Sequence, residues 1–272
     1  MGQTGDVMDA PIIDLAWFDL GLAAGLILIA IGVSRVQGLG LGRDLLVGAF
    51  RTVVQLVLVG YVLIYIFALD RWYLVIAALL IMVAVATHAA VGRQARPSRF
   101  LYGITGVAIL AGSGLTLIYV GAAVVQVDPW YNPRYLIPLF GMIVGNAMNA
   151  AALAAERLDG EMDNRRQEIE AYLALGASTT RAARRPVRLS LTAALIPTIN
   201  SLMVVGVVSL PGMMTGQILA GVSPLTAVRY QIVVMFMLAG AVALTAVLVV
   251  LWYRRSFFTP AAQLRLPEAE SS

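Results

Sequence analysis

The sequence predicts an all-α, polytopic membrane protein with about seven transmembrane helices. Three observations carry that expectation. Apolar residues make up 60% of the 272 residues and charged residues only 12%, with a mean hydropathy of +0.85; a soluble domain carries about 25% charged residues. The apolar residues come in runs of roughly 20, the length at which a helix rising ~1.5 Å per residue crosses a ~30 Å hydrocarbon core. All 19 basic residues are Arg, and 15 of them gather between alternate runs or in the C-terminal tail. This composition argues against a water-soluble enzyme. It also argues against a disordered chain, which needs low hydrophobicity and high charge. The chain has no Cys, which excludes disulfides, thiol nucleophiles and thiolate metal sites.

Seven runs qualify as spans: Trp17–Ser34, Leu45–Leu69, Trp72–Val91, Phe100–Gln126, Arg134–Ala155, Leu189–Leu210 and Thr226–Tyr253. They are apolar on all faces and too long for barrel strands, which alternate in polarity over about ten residues. Only Asp70-Arg71 separates the second span from the third, which calls for a tight helical hairpin. The tail over residues 1–16 carries Asp6, Asp9 and Asp14 and no Arg. A signal peptide begins with a basic segment, so the first span is expected to be retained. Residues 17–253 then form the transmembrane domain and 254–272 a C-terminal tail.

Arg placement gives the expected orientation. One side of a seven-span chain receives Arg35 and Arg43, then Arg93, Arg96 and Arg99, then seven Arg from Arg157 to Arg188, then Arg254, Arg255 and Arg265. The other receives the acidic N-terminus, Asp70-Arg71 and the loops around Asp128–Asn132 and Ser209–Leu225. Cytoplasmic loops carry the excess of Arg and Lys. The N-terminus is therefore expected outside and the C-terminus in the cytoplasm, in a plasma or bacterial inner membrane.

Residues 156–188 form the longest polar stretch before the tail. Its seven Arg face six acidic residues, so it reads as a solvated helical segment and no nucleic-acid partner is expected. Gly176 stands where a helix C-cap belongs, Ser178 can N-cap a second helix, and Pro186 is expected to break or bend that helix before the sixth span.

Glu170-Ala171-Tyr172 followed by Gly176, with Leu175-Gly176-Ala177-Ser178, resembles the coupling loop of ABC transporter permeases. Further runs carry the resemblance along the chain. They are Arg51 with Gln55 and Val59–Leu63, Gly141–Ile143 with Gly145–Met148, Ala194–Thr198 with Ser201, and Val208–Met214 with Gly216. From Leu45 to Leu251 the chain resembles the FetB-type permease of an iron-export ABC transporter. It is similar also to a plant aluminium-tolerance membrane protein. The resemblance implies a homodimeric permease in the lipid bilayer, a separate ATP-binding cassette subunit that holds ATP and Mg²⁺, and a metal or metal-complex cargo. It also implies that Glu170, Ala171, Tyr172, Gly176, Ala177 and Ser178 couple the two subunits. Asn200 departs from the pattern, since some members carry Asp there.

The residues themselves show no catalytic constellation. Gly38–Gly42 lacks the Lys-Ser/Thr of a phosphate-binding loop and reads as a flexible inter-span loop, so no cofactor is expected on this chain. His88 reads mainly as a structural hydrogen-bonding group. Polar residues inside spans are costly and mark partners or pathways. Arg51 and Gln55 share a face of the second span, where pairing with Asp44 competes with a pathway role. Gly141, Gly145 and Asn149 share a face of the fifth, which reads as a packing seam or, with Asn146, as pore lining. Pro197 and Asn200 make the sixth span either a broken helix facing a cavity or a simple kink closed by Thr198. Met213 and Met214 are soft candidates for a gate or a metal contact, in a segment that could re-enter the membrane; the metal ligands stay undefined. A secondary carrier is the main alternative function, but no intramembrane acid or inverted repeat supports it. A membrane-embedded enzyme would need a nucleophile and base at depth, with only His88 on hand.

Overall fold

The computed structural model describes residues 16–265 except Asp70 and Ala95. Among the described residues it is all-helical, with two isolated β-bridges and no strand. The helices are α1 (Trp17–Val36), α2 (Gly42–Leu69), α3 (Trp72–Val91), α4 (Arg99–Tyr119), α5 (Pro133–Asn164), α6 (Arg166–Ala174), α7 (Thr179–Ala182), α8 (Arg184–Val204), α9 (Gly212–Leu219) and α10 (Pro224–Tyr253). A π-helical turn over Val120–Val125 extends α4. Seven segments are long and apolar enough to cross a membrane. The acidic N-terminal tail and the hairpin residue Asp70 lie outside the described residues.

Local chemistry sets the helix starts. The Ser98 hydroxyl accepts from the Leu101 amide at 3.2 Å to start α4. Asn132 caps α5 by accepting from the Arg134 amide, with Pro133 at the first helical position, where its missing N–H costs nothing. Ser223 and Pro224 repeat that arrangement for α10.

Two boundaries depart from the apolar runs. Helix α5 continues nine residues past Ala155 to Asn164, because Leu158 and Met162 prolong its buried stripe into the polar segment. The sixth span runs from Arg184 to Val204. The short helix α7 does end before this span, but Pro186 stands inside α8 and not between the two helices. It lies in the first turn of α8, where an amide would lack a helical partner anyway, and the break falls at Ala183 instead. The other end closes early because Gly206, at φ +83°, turns the chain and donates to the Ser209 carbonyl at 2.9 Å.

The chain divides into two compact units. One holds α1 and α2 with Gln217–Val222. Here α1 and α2 pack on each other across the short turn that holds the glycine run. Gly38 and Gly40 take positive φ, and the Ser34 hydroxyl accepts from the Leu41 amide at 3.1 Å. A two-helix hairpin has no interior, and among its described residues only Ser34 and Ile66 are buried.

The other unit spans residues 72–216 and 223–272. Helix α5 is its hub and packs on α3, α4, α8 and α10. The hub face is made of small residues, Ala147, Ala150, Ala151, Ala154 and Ala155, which let helices approach closely without a hydrophobic driving force in lipid. Helices α4 and α10 meet most closely at Gly112. A Cβ there would stand 3.0 Å from the Thr245 amide nitrogen and within bonding range of its hydroxyl. The Thr245 hydroxyl in turn donates to the Ala108 carbonyl at 3.4 Å.

Candidate functional site: an uncharged polar cleft and a capped elbow

A cavity of about 320 Å³ opens between α5, α8 and α10 and the segment after α8. Its polar lining comes from Asn146 and Asn149 on α5, Thr198 and Ser201 on α8, and Ser209. Leu153, Ala194, Val205, Met235 and Leu238 supply apolar walls, and Pro197 and Pro211 complete it. No lining residue carries a charge. Asn146 is 13 residues from the start of α5 and Pro197 is 13 from the start of α8, or about 20 Å along each axis. Both positions lie inside helices long and apolar enough to cross a membrane. Asn146, Asn149, Pro197 and Ser201 are nevertheless exposed on this chain.

The cleft brings together three of the predicted pathway residues, Asn146, Asn149 and Pro197. It leaves the others aside. Asn200 is exposed on α8 outside the lining. Met213 and Met214 sit half-buried on α9, also outside it. Arg51 and Gln55 are exposed on α2, and Asp44 makes no ion pair with Arg51 among the described residues. The segment that holds Met213 and Met214 is irregular from Val205 to Pro211 and then forms α9.

Around Pro197 the helix continues unbroken to Val204. The Ser201 hydroxyl donates to the Pro197 carbonyl at 3.0 Å, whereas the carbonyl that the proline leaves without its amide donor is that of Ala193, one turn earlier. Thr198 faces the cleft. The glycine seam of α5 is split. Gly141 packs against Met82 of α3, whereas Gly145 meets open space, and Asn149 lines the cleft. Asn146 also donates to the Met142 carbonyl at 2.9 Å. Ser209 and Met235 were not legible as site residues, since they come from a loop and a third helix. Gln231, one turn before Met235, is 6% exposed and its Oε1 has no partner among the described residues. His88 finds a structural partner in Tyr102, with Nδ1 3.4 Å from the phenol oxygen and the rings stacked.

The polar segment forms a helical elbow. Gly176 takes φ +82°. Its amide donates to the Leu173 carbonyl, and the Ala177 amide donates to the Tyr172 carbonyl, both at 2.9 Å. This double closure needs a left-handed residue at the turn, which glycine supplies without a Cβ penalty. Ser178 then caps α7 by accepting from the Arg181 amide at 3.4 Å. Ile169 is buried beneath the elbow, while Tyr172 and Leu175 project outward, Leu175 at 86% exposure. Glu170 pairs with Arg166 at 2.9 Å, and Ala171 lies exposed beside it.

The opposing charges of this region form a chain of ion pairs that ties the elbow to the bundle. Glu161 on α5 is nearly buried and meets Arg157 at 2.8 Å and Arg165 at 2.7 Å. Arg165 continues to Glu168 of α6 at 3.1 Å, and Arg185 of α8 reaches Glu168 at 3.6 Å. The hydrogen bonds from Arg165 to Glu161 and Glu168 raise its guanidinium above the ordinary range, so it stays charged. A second group joins the α3–α4 connection to α5 and α10. The Tyr253 hydroxyl donates to Asp159 at 3.1 Å, and Arg96 lies 3.6 Å from Asp163.

The fold and the site define a class: a multi-pass α-helical membrane protein with an uncharged polar cleft at membrane depth and a capped polar elbow at one end. The chain belongs to the UPF0014 family, whose profile, described as an uncharacterised protein family, matches residues 17–258. It is 41% identical over 257 residues to a UPF0014 membrane protein of Synechocystis, covering 94% of this chain and 99% of that one. It is 37% identical over 247 residues to the probable iron export permease protein FetB of Escherichia coli, covering 90% and 93%. It is also 37% identical over 239 residues to the Arabidopsis protein ALUMINUM SENSITIVE 3, covering 88% and 86%. No solved structure gives a significant match.

Proposed function

We propose that this chain is the membrane-spanning permease subunit of an ABC transporter that exports iron or another metal, driven by ATP hydrolysed on a separate subunit. The carrying observation is the cleft. Amide and hydroxyl groups inside membrane-spanning helices do not face lipid, because an unsatisfied polar group there costs several kcal/mol. A surface that leaves Asn146, Asn149 and Ser201 uncovered on one chain therefore lines a wet path or meets another protein. A path between two copies of the permease meets both requirements. The cargo class is taken from the relative named as an iron export permease.

In this reading the elbow is the docking surface for the ATP-binding subunit. Tyr172 and Leu175 offer an apolar contact, and the closed turn at Gly176 keeps it rigid. The Glu161–Arg165–Glu168–Arg185 pairs carry its displacement to α5 and α8, the two helices that line the cleft. The Arg-rich ends put the elbow in the cytoplasm and the N-terminus outside. ATP and Mg²⁺ stay on the partner, and the permease is gated without catalysing a reaction itself.

The test is reconstitution in vesicles. The chain with its ATP-binding partner is expected to move iron only when ATP is supplied, and Gly176→Pro is expected to abolish that transport while membrane insertion and ATP binding persist. Uphill transport by the chain alone on a proton or sodium gradient would overturn the proposal in favour of a secondary carrier.

A further inference from the structure

Whatever occupies the cleft must satisfy two properties of its wall. The wall can donate and accept hydrogen bonds, through the amides of Asn146 and Asn149 and the hydroxyls of Thr198, Ser201 and Ser209. It supplies no countercharge, and its one sulfur is the Met235 thioether. A divalent or trivalent cation gives up its water only to a ligand set that replaces it, normally carboxylates, imidazoles or thiolates. Among the described residues no three His, Cys, Asp or Glu stand together as metal ligands. A bare charge at this depth would also bear a desolvation cost of several kcal/mol. The cleft has room for more than a bare ion, since 320 Å³ is the volume of about ten water molecules at ~30 Å³ each.

We propose that the cleft binds a compact, low-charge metal chelate, a cation that arrives with its own small organic ligands, and not the aqua ion. The ligands neutralise the charge before it enters the membrane. Their outward oxygen and nitrogen atoms then meet the neutral amides and hydroxyls of α5 and α8. Selectivity follows from the shape and hydrogen-bonding of the complex, so the chain needs no metal-binding carboxylate in the path. This inference rests on the permease reading and deepens it.

The test is a binding measurement on the full chain in lipid nanodiscs, without the ATP-binding partner. Equilibrium dialysis compares radioactive ferrous ion alone with the same ion as its neutral bis-glycinate complex, with glycine alone as the control. Retention of iron is expected to be at least about tenfold greater for the complex. Asn149→Leu and Ser201→Ala, which each remove one hydrogen-bonding group, are expected to lower it about three- to tenfold with no change in thermal unfolding. Asn149→Asp is expected to reverse the preference toward the bare ion. Equal retention of both forms, stronger retention of the bare ion, no retention of either, or chelate binding indifferent to both variants would overturn the inference. None of these results bears on ATP-driven transport, so failure here is distinct from failure of the permease assignment.

Discussion

Helices α5 and α8 line the same cleft yet are built oppositely. Half of the most apolar window of α5 is buried, against 11% for α8. Helix α5 carries a stripe of alanines that other helices cover on several sides, and its proline, Pro138, comes early. Helix α8 carries Pro197 in its middle and groups Thr198, Asn200 and Ser201 around it, with Ile199 and Met203 uncovered. One helix is thus the fixed scaffold of the bundle, and the other is the wall that its own chain leaves unfinished. In lipid the hydrophobic effect does not distinguish these roles; close packing of small residues and satisfaction of polar groups do.

The contrast breaks most severely if the hub tolerates bulk. Ala154→Leu on α5, at a position with no exposed surface, is expected to cost about 1–3 kcal/mol through overpacking, read as a lower unfolding temperature in detergent. Met203→Ala on α8, at 77% exposure, is expected to stay within about 0.5 kcal/mol of the parent for the isolated chain. Equal losses would show that α8 is covered as fully as α5, by a second copy where the loss depends on protein concentration.

Glu161 tests the link from scaffold to elbow. Glu161→Ala leaves Arg157 and Arg165 without their nearly buried acceptor and is expected to cost about 1–3 kcal/mol. Amide exchange should rise over residues 165–185 and stay unchanged in α3; uniform exchange would mean that the ion pairs do not anchor the elbow. A smaller effect is expected at the elbow itself. Ser178→Ala removes one cap and should cost about 0.5–1 kcal/mol, seen as faster exchange at the Arg181 amide only. A global loss of stability from that change would show the elbow to be part of the hub.

Much of this was readable in the residues. The third span matches Trp72–Val91 without adjustment, and the Gly176 turn and Ser178 cap lie where their chemistry requires. Both depend on contacts within a few residues. The end of α5 was not readable, because Leu158 and Met162 are held in a polar segment by helices from elsewhere in the chain. Nor was the role of Pro186, which depends on the break falling at Ala183.

The residues alone determined that this chain lives in a membrane and crosses it about seven times. Hydropathy and backbone satisfaction act over one helix length, so a single run of sequence decides them. Tertiary structure decided which polar groups meet. Asn149, Ser201 and Ser209 share a cavity only because α5, α8 and the loop beyond it pack together, and Met213 is excluded from it for the same reason. A site assembled from separate helices depends on distances through space, and spacing along the chain does not encode them.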